Sequence, residues 1–261
     1  MSYPFLVEEI VALAKVAGVA AMKIYNEGFD VCEKADSSPV TQADIAAEKI
    51  IFAGLKALTP DIPAVGEEHF AEGEIPVLSK RLFWLVDPID GTKEFIKKNG
   101  EFTVNIALID DVFPVFGVVY APAINALYFT QSPTQSFSVV DGKTQLLKTR
   151  PVPFDGFTVV RSRSHYDESV AAGMMAERTI AAVKTRGSSL KFCDIASGLA
   201  DMYPCTHLTH EWDTAAAHAV LAAAGGVIVD ANGQALTYRK TNFENPRLTA
   251  FGDKDGFKKR Y

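Results

Sequence analysis

Cysteine is scarce: Cys32, Cys193 and Cys205 are the only three in 261 residues, an odd number in no metal-ligand spacing. That argues against a disulfide framework and a thiolate zinc site, and it points to a reducing, cytosolic compartment. No apolar run is long enough to cross a bilayer. Lys15 and Lys23 interrupt the longest apolar segment, and Glu8 and Glu9 stand where a signal peptide would carry basic residues. The expected location is cytoplasmic, with peripheral attachment at the inner membrane as the alternative. A basic excess is lacking as well. Lys and Arg number 26 against 32 Asp and Glu, a formal net charge of −6, which argues against binding a nucleic-acid polymer but leaves room for a small anionic substrate arriving at bound metal ions. Repeats and low-complexity segments are absent. What remains is an ordinary globular composition, 48% hydrophobic and 22% charged, in a chain long enough for one large domain or two intimate halves.

Residues 4–25 carry Leu6, Ile10, Leu13, Ala17, Ala20 and Ile24 at helical spacing, which predicts a packing helix. Asp36-Ser-Ser-Pro39 is a break, and Thr41-Gln-Ala-Asp44 has the form of a capping box before a second helix reaching Leu58. Strand patterns over 102–109, 114–120, 126–130 and 135–140 predict an antiparallel meander ending at Asp141-Gly142. Beyond Leu147 the pattern alternates: strand at 157–161, helix at 168–177, strand at 179–184, helix at 189–198, strand at 200–203, and a helix at 212–224 closed by Gly225-Gly226. The expected organisation is an N-terminal half, 1–147, with a helix pair and an antiparallel sheet, and an α/β half, 148–261, meeting near Pro151-Val-Pro153. Lys254, Lys258, Lys259 and Arg260 make a basic, solvated tail.

The chemistry is concentrated in acids. Residues 82–86 read as a buried strand that breaks into a polar loop, Asp87-Pro-Ile-Asp-Gly-Thr92. Pro88 fixes its own φ and restricts its neighbour, so Asp87 and Asp90 can be aimed at one point. Two anions so aimed repel. Unless one stays protonated a cation must lie between them, and hard oxygen donors without nearby His or Cys favour Mg²⁺, Mn²⁺ or Ca²⁺ over zinc. Gly91 and Thr92 would open a helix whose N–H groups face the same point, as phosphate binding requires. Taken alone, Asp-Gly is also a common turn signal.

Two more acidic stretches favour the site. Residues 62–68 form a short apolar strand ending in Gly66-Glu67-Glu68, and Glu211-Trp212-Asp213 opens an alanine-rich helix; both can converge on a sheet edge. Trp212, Ala215, Ala216, Ala219, Val220 and Ala223 lie on one helical stripe and Asp213 lies off it. The helix dipole alone favours an Asp there; the second role is to share a metal ion with Asp87 and Asp90, while Glu67 and the Ile89 carbonyl complete a neighbouring site. Two divalent ions about 3.5–4 Å apart form the clamp of in-line phosphoryl transfer. Thr92 would bond the attacking water and pass its proton to Asp44. Asp44 reads equally well as only the cap partner of Thr41.

Gly66-Glu-Glu68, Asp87-Pro-Ile-Asp-Gly-Thr92 and Trp212-Asp-Thr-Ala-Ala216, in that order and at those separations, resemble the inositol monophosphatase superfamily of Mg²⁺-dependent, lithium-sensitive phosphatases over nearly the whole chain. The resemblance implies a layered αβαβα sandwich. It implies metal ligands at Glu67, Asp87, the Ile89 carbonyl, Asp90 and Asp213, with Thr92 and Asp44 as the water-activating pair and Glu68 behind the ligands. It further implies two or three Mg²⁺ ions, replaceable by Mn²⁺ and opposed by Ca²⁺ or Li⁺, and a homodimer; Lys34 resembles a loop lysine near the third metal.

Within the superfamily, Asp90-Gly-Thr-Lys-Glu-Phe-Ile96 followed by Asn99-Gly-Glu-Phe-Thr-Val-Asn-Ile-Ala107 is similar to the 3′(2′),5′-bisphosphate nucleotidases. These convert 3′-phosphoadenosine 5′-phosphate to AMP and phosphate in sulfur assimilation. The implied substrate contacts are Gly91, Thr92 and Asp213, with Ser188, Ser189, Lys191, Arg163 and His165 holding the non-reacting phosphate. Otherwise Ser188 or Ser189 is a helix cap, and Arg163 and His165 are surface loop residues. There is one departure: Tyr203-Pro204 leads into Cys205-Thr-His-Leu-Thr-His210, where the nucleotidase pattern has an arginine and then Gly-Pro-Thr. Losing that arginine implies either a different substrate or partial substitution by His207 and His210; the expectation for both histidines is that they face solvent. The rival readings are a phosphatase for inositol 1-phosphate or another small alcohol phosphate, and a non-catalytic sensor of metal and nucleotide, which would have no use for the Thr92–Asp44 pair.

Overall fold

The structure, a computed structural model, describes residues 6–33 and 39–254; Lys34, the break at Asp36, and Lys258, Lys259 and Arg260 of the tail lie outside the described residues. Two long helices, α1 (Val7–Glu27) and α2 (Gln42–Leu58), are joined through a ribbon of β1 (Val31–Glu33) and β2 (Pro39–Thr41). Then come β3 (Ala64–Gly66), α3 (Glu67–Ala71), β4 (Leu82–Asp90), α4 (Thr92–Ile96) and the meander β5 (Thr103–Asp110), β6 (Phe113–Ala121), β7 (Ala126–Ser132), β8 (Gln135–Val140) and β9 (Lys143–Leu146). The remainder is β10 (Phe157–Ser162), α5 (Glu168–Met174), β11 (Ile180–Arg186), α6 (Leu190–Ala196), β12 (Met202–Cys205), β13 (Thr209–His210), α7 (Glu211–Ala224), β14 (Val227–Asp230), β15 (Glu244–Asn245) and β16 (Leu248–Phe251).

Strands β3 to β9 form a seven-stranded sheet in chain order, antiparallel except where β3 runs beside β4. Its side chains alternate strictly. Trp84 and Val86 of β4 turn towards α1 and α2, while Phe83 and Leu85 join the core around α6 and α7. Because both faces are covered, the segment reads as a continuous apolar run rather than an alternating one. The second sheet has the order β11-β10-β12-β16-β14. Its outer face carries Phe157, Val159, Met202, Val229 and Phe251, packed against Met175 at the end of α5. Helix pair, sheet, helix pair, sheet and outer helix make the five αβαβα layers expected.

Several boundaries differ from expectation. The meander does not stop at Asp141-Gly142: both residues take positive φ, 50° and 75°, and return the chain as β9, the geometry of a two-residue hairpin. Strand β4 does not break at Asp87 but continues to Asp90, with a register shift between Asp87 and Asp90. The helix expected over 168–177 ends at Met174. The strands β14 and β16, which close the second sheet, had no counterpart in the sequence reading.

Helix α7 departs furthest. Instead of one apolar stripe it buries nearly its whole circumference, Ala217, Leu221 and Ala224 as well as the expected residues, because it runs between the two sheets. It lies so close to β6 that a Cβ on Gly117 would stand 2.2 Å from the Ala216 carbonyl oxygen. Gly117→Ala is therefore expected to cost about 1–3 kcal/mol through overpacking, measured as a lower urea midpoint at unchanged slope.

Candidate active site

Parallel strands β3 and β4 run side by side, with Gly66 at the end of β3 opposite Val86, and each delivers acids just beyond that level. Glu67 opens α3 directly after β3; Asp87 and Asp90 lie on the last turn of the pleat of β4. Across from them, α7 brings Asp213 in its first turn. Glu67, Asp87, Ile89, Asp90, Thr92 and Asp213 all line one cavity of about 780 Å³, so residues spread over most of the sequence do meet. Gly91 makes the bend between strand and helix possible: it is left-handed, φ 90° and ψ 45°, a conformation glycine adopts without a Cβ penalty.

The acids destabilise one another as anions. Burial, and then the charges of Glu67, Asp90, Asp213 and Asp44, push the Asp87 carboxyl well above its usual range. Burial followed by Asp90 and Glu67 does the same to Asp213. Burial also raises Asp90, against the opposing pull of Lys191 and the Ser189 hydroxyl. Asp87 is buried with no hydrogen-bond partner at Oδ1, an expensive arrangement for a carboxylate. An all-oxygen donor set with an unpaired buried oxygen fits a hard divalent cation. Among the described residues no three acidic, histidine or cysteine side chains form a ready-made ligand cluster.

Asp44 closes the cap with one carboxylate oxygen and turns the other to Thr92. Its Oδ2 accepts the Thr41 N–H at 2.8 Å and the Thr41 hydroxyl at 2.7 Å, closing the capping box of α2. Its Oδ1 faces Thr92, whose hydroxyl lies 3.5 Å away and 3.4 Å from the Ile89 carbonyl oxygen. Asp213 is similarly divided, with Oδ2 accepting the His210 N–H at 2.8 Å. Glu68, expected behind the ligands, is buried but lines the cavity beside Glu67, and its N–H donates to Glu48 at 3.0 Å.

The expected substrate contacts separate. Ser188, Lys191 and His165 line the cavity. Arg163 does not: its guanidinium is taken by Glu101 in a two-pronged pair, 2.7 and 3.0 Å. Ser189 is buried and turned to the acids, its hydroxyl 2.8 Å from Asp90 Oδ2 and 3.0 Å from the Asp213 carbonyl oxygen. Neither serine caps α6 by its side chain.

His207 and His210, expected in solvent, both line the cavity. His207 is half-buried, 4.9 Å from the His165 ring, and burial followed by the positive neighbours holds its pKa down to about 4. His210 stacks on Trp212. Sequence reasoning also missed Glu48, which accepts the Glu68 and His69 N–H groups and so orients the helix that carries Glu67, and Lys93, which meets His165 at 2.8 Å. The signal for Glu48 was a second charge, one turn after Asp44, on the face of α2 that also carries Ala47, Ile51 and Leu55.

Two sheets and their helices, with an acid-lined cavity, define the class: a layered α/β protein. A family model described as the inositol monophosphatase family matches residues 5–252, and the chain belongs to that family. It is 44% identical over 257 residues to the 3′(2′),5′-bisphosphate nucleotidase CysQ of Escherichia coli strain K12, covering 92% of this chain and 97% of the relative. The corresponding protein of Salmonella typhimurium is 43% identical over 255 residues, with 94% and 100% covered. Among solved structures, CysQ from Bacteroides thetaiotaomicron superposes with a TM-score of 0.77 at 34% identity, over 95% of this chain and 97% of that one.

Proposed function

We propose that this chain is a Mg²⁺-dependent phosphate monoester hydrolase that removes the 3′-phosphate from 3′-phosphoadenosine 5′-phosphate, leaving AMP. The observation that carries the reading is the meeting of Glu67, Asp87, Asp90 and Asp213 in one cavity beside the Thr92 and Asp44 pair, in a chain similar to curated bisphosphate nucleotidases. Glu67, Asp87, the Ile89 carbonyl, Asp90 and Asp213 would hold two or three Mg²⁺ ions, which supply charge neutralisation and activation of water when bound.

The protein's own part is positioning and proton handling. Thr92 donates its hydroxyl proton to Asp44 Oδ1 and accepts one from the attacking water, so the proton leaves through Asp44. Gly91 keeps the backbone close to the reacting phosphate. Ser188, Lys191 and His165, with Lys93 beside it, face the second phosphate from the other wall. The same reading carries lithium inhibition, a cytoplasmic dimer and a place in sulfur assimilation as expectations.

Phosphate release from 3′-phosphoadenosine 5′-phosphate, measured beside adenosine 3′-phosphate and inositol 1-phosphate, tests the proposal. Removing the 5′-phosphate is expected to lower kcat/KM by the equivalent of about 1.5–3 kcal/mol per charged hydrogen bond lost. Equal turnover of inositol 1-phosphate would falsify the nucleotide assignment, and full activity in EDTA would remove the metal.

A further inference from the structure

Three polar side chains on one face of the β5 segment meet three consecutive residues of the turn before α6, in order. Glu101, Thr103 and Asn105 alternate along the chain and so point to the same side. Glu101 Oε2 accepts the Gly187 N–H at 2.7 Å, the Thr103 and Ser188 hydroxyls are 2.7 Å apart, and Asn105 Nδ2 donates to Ser189 Oγ at 3.0 Å. All three side chains are buried, where a polar group costs stability unless it is bonded. The Glu101 charge is balanced by Arg163 and by Arg186 at 3.3 Å.

The turn they hold is an unusual one. Ser188 has φ 50°, rare for a residue with a side chain, and a Cβ on Gly187 would stand 2.7 Å from the Glu101 carbonyl oxygen. From this turn two links reach the cavity. The Ser189 hydroxyl donates to Asp90 Oδ2 at 2.8 Å, and the Lys191 ammonium donates to the Ser188 carbonyl at 2.5 Å. On the neighbouring strand the residues opposite Thr103 and Asn105 are Asp90 and Asp87, so the ladder stands directly beside the acids.

We infer that Glu101, Thr103 and Asn105 are positioning residues that fix the turn at 187–189 and thereby set the separation between the cationic wall and the acid floor. The rungs divide the work. Glu101 and Thr103 hold Gly187 and Ser188, hence Lys191; Asn105 holds Ser189, hence Asp90. A part that merely stabilised the fold would show no such division.

The test pairs two variants. Thr103→Val is expected to raise KM for 3′-phosphoadenosine 5′-phosphate about tenfold while kcat, and kcat/KM for adenosine 3′-phosphate, stay within about threefold, on the scale of one hydrogen bond. Thr103→Ser, which keeps the hydroxyl, restores KM. Asn105→Leu is expected to raise about tenfold the Mg²⁺ concentration giving half the maximal rise in Tm, read without substrate. Adding Ser189→Ala to Asn105→Leu adds little, since the two act in series. The inference is overturned if both variants move the same parameter, or if Tm falls in each while KM and the Mg²⁺ midpoint stay put. The substrate arm rests on the nucleotidase reading, whereas the Mg²⁺ arm uses no substrate. A wild-type protein that fails to hydrolyse the bisphosphate, with the Mg²⁺ midpoint still moved by Asn105→Leu, sinks that reading and supports the Asp90 half of the ladder.

Discussion

Asp87→Asn is expected to make the metal-free protein more stable while removing its activity. The wild-type carboxylate is buried, lacks a partner at Oδ1 and faces four other acids. Asparagine keeps the shape and deletes the charge. At neutral pH in EDTA the gain should be about 1–3 kcal/mol, the scale of removing an uncompensated buried charge, and so several degrees in Tm. The rise in Tm on adding Mg²⁺ should shrink, and phosphate release should fall by roughly 10²–10³ or more, as when a transition-state charge partner is lost.

The pH dependence follows from the direction of the shift. A carboxyl whose folded pKa is raised carries its proton in both states below the unfolded value near 4. As pH rises past that point the unfolded chain ionises first, so folding stability falls through the window up to the raised folded pKa. Metal-free wild type should therefore lose Tm as pH climbs above about 4, and Asp87→Asn should flatten that slope. Parallel slopes for the two proteins, or a lower Tm in the variant at pH 7, would show that Asp87 is not strained by its neighbours.

Asp44→Asn should lower kcat by about 10²–10⁴, the usual weight of a general base, with little change in Tm. The amide oxygen can still accept the Thr41 N–H and keep the cap of α2, but its nitrogen then presents a donor to Thr92, which blocks passage of the proton. Asp44→Ala loses both functions and should cost about 1 kcal/mol more in stability. The comparison separates the two halves of one carboxylate. If Asp44→Asn keeps most of wild-type kcat, or if both variants lose activity only in proportion to stability, the proton does not travel through Asp44.

Much of the framework was legible because it is written locally. The Thr41 to Asp44 spacing announced its capping box, Gly225 its left-handed helix end, and the run before Asp87 its doubly covered strand. What escaped was set at long range. By its lack of an N–H, Pro88 predicts an end to β4, yet β3 stops at Gly66, opposite Val86, so beyond that point no strand on that side asks Pro88 for an N–H. The stripe on α7 was incomplete because alanine does not declare which sheet it will touch. Arg163 looked free for a phosphate because its partner, Glu101, lies 62 residues away. His207 looked solvated because nothing in its own loop places it against His165. The acids of the cavity were readable from their settings, whereas Glu48, Ser189 and Asn105, which bond to the segments around them, were indistinguishable from ordinary polar residues until the strands were paired.

Asp87 and Asp90 hang from β4, an interior strand of the larger sheet paired on one side along its length with β5, while His207 and Leu208 sit on the short connection between β12 and β13. Amide protons at the floor should therefore exchange only when the whole domain opens, and those of the rim through local fluctuation. Substitutions at the rim, at His207 and Leu208, can thus be made without loosening the scaffold that carries Asp87 and Asp90.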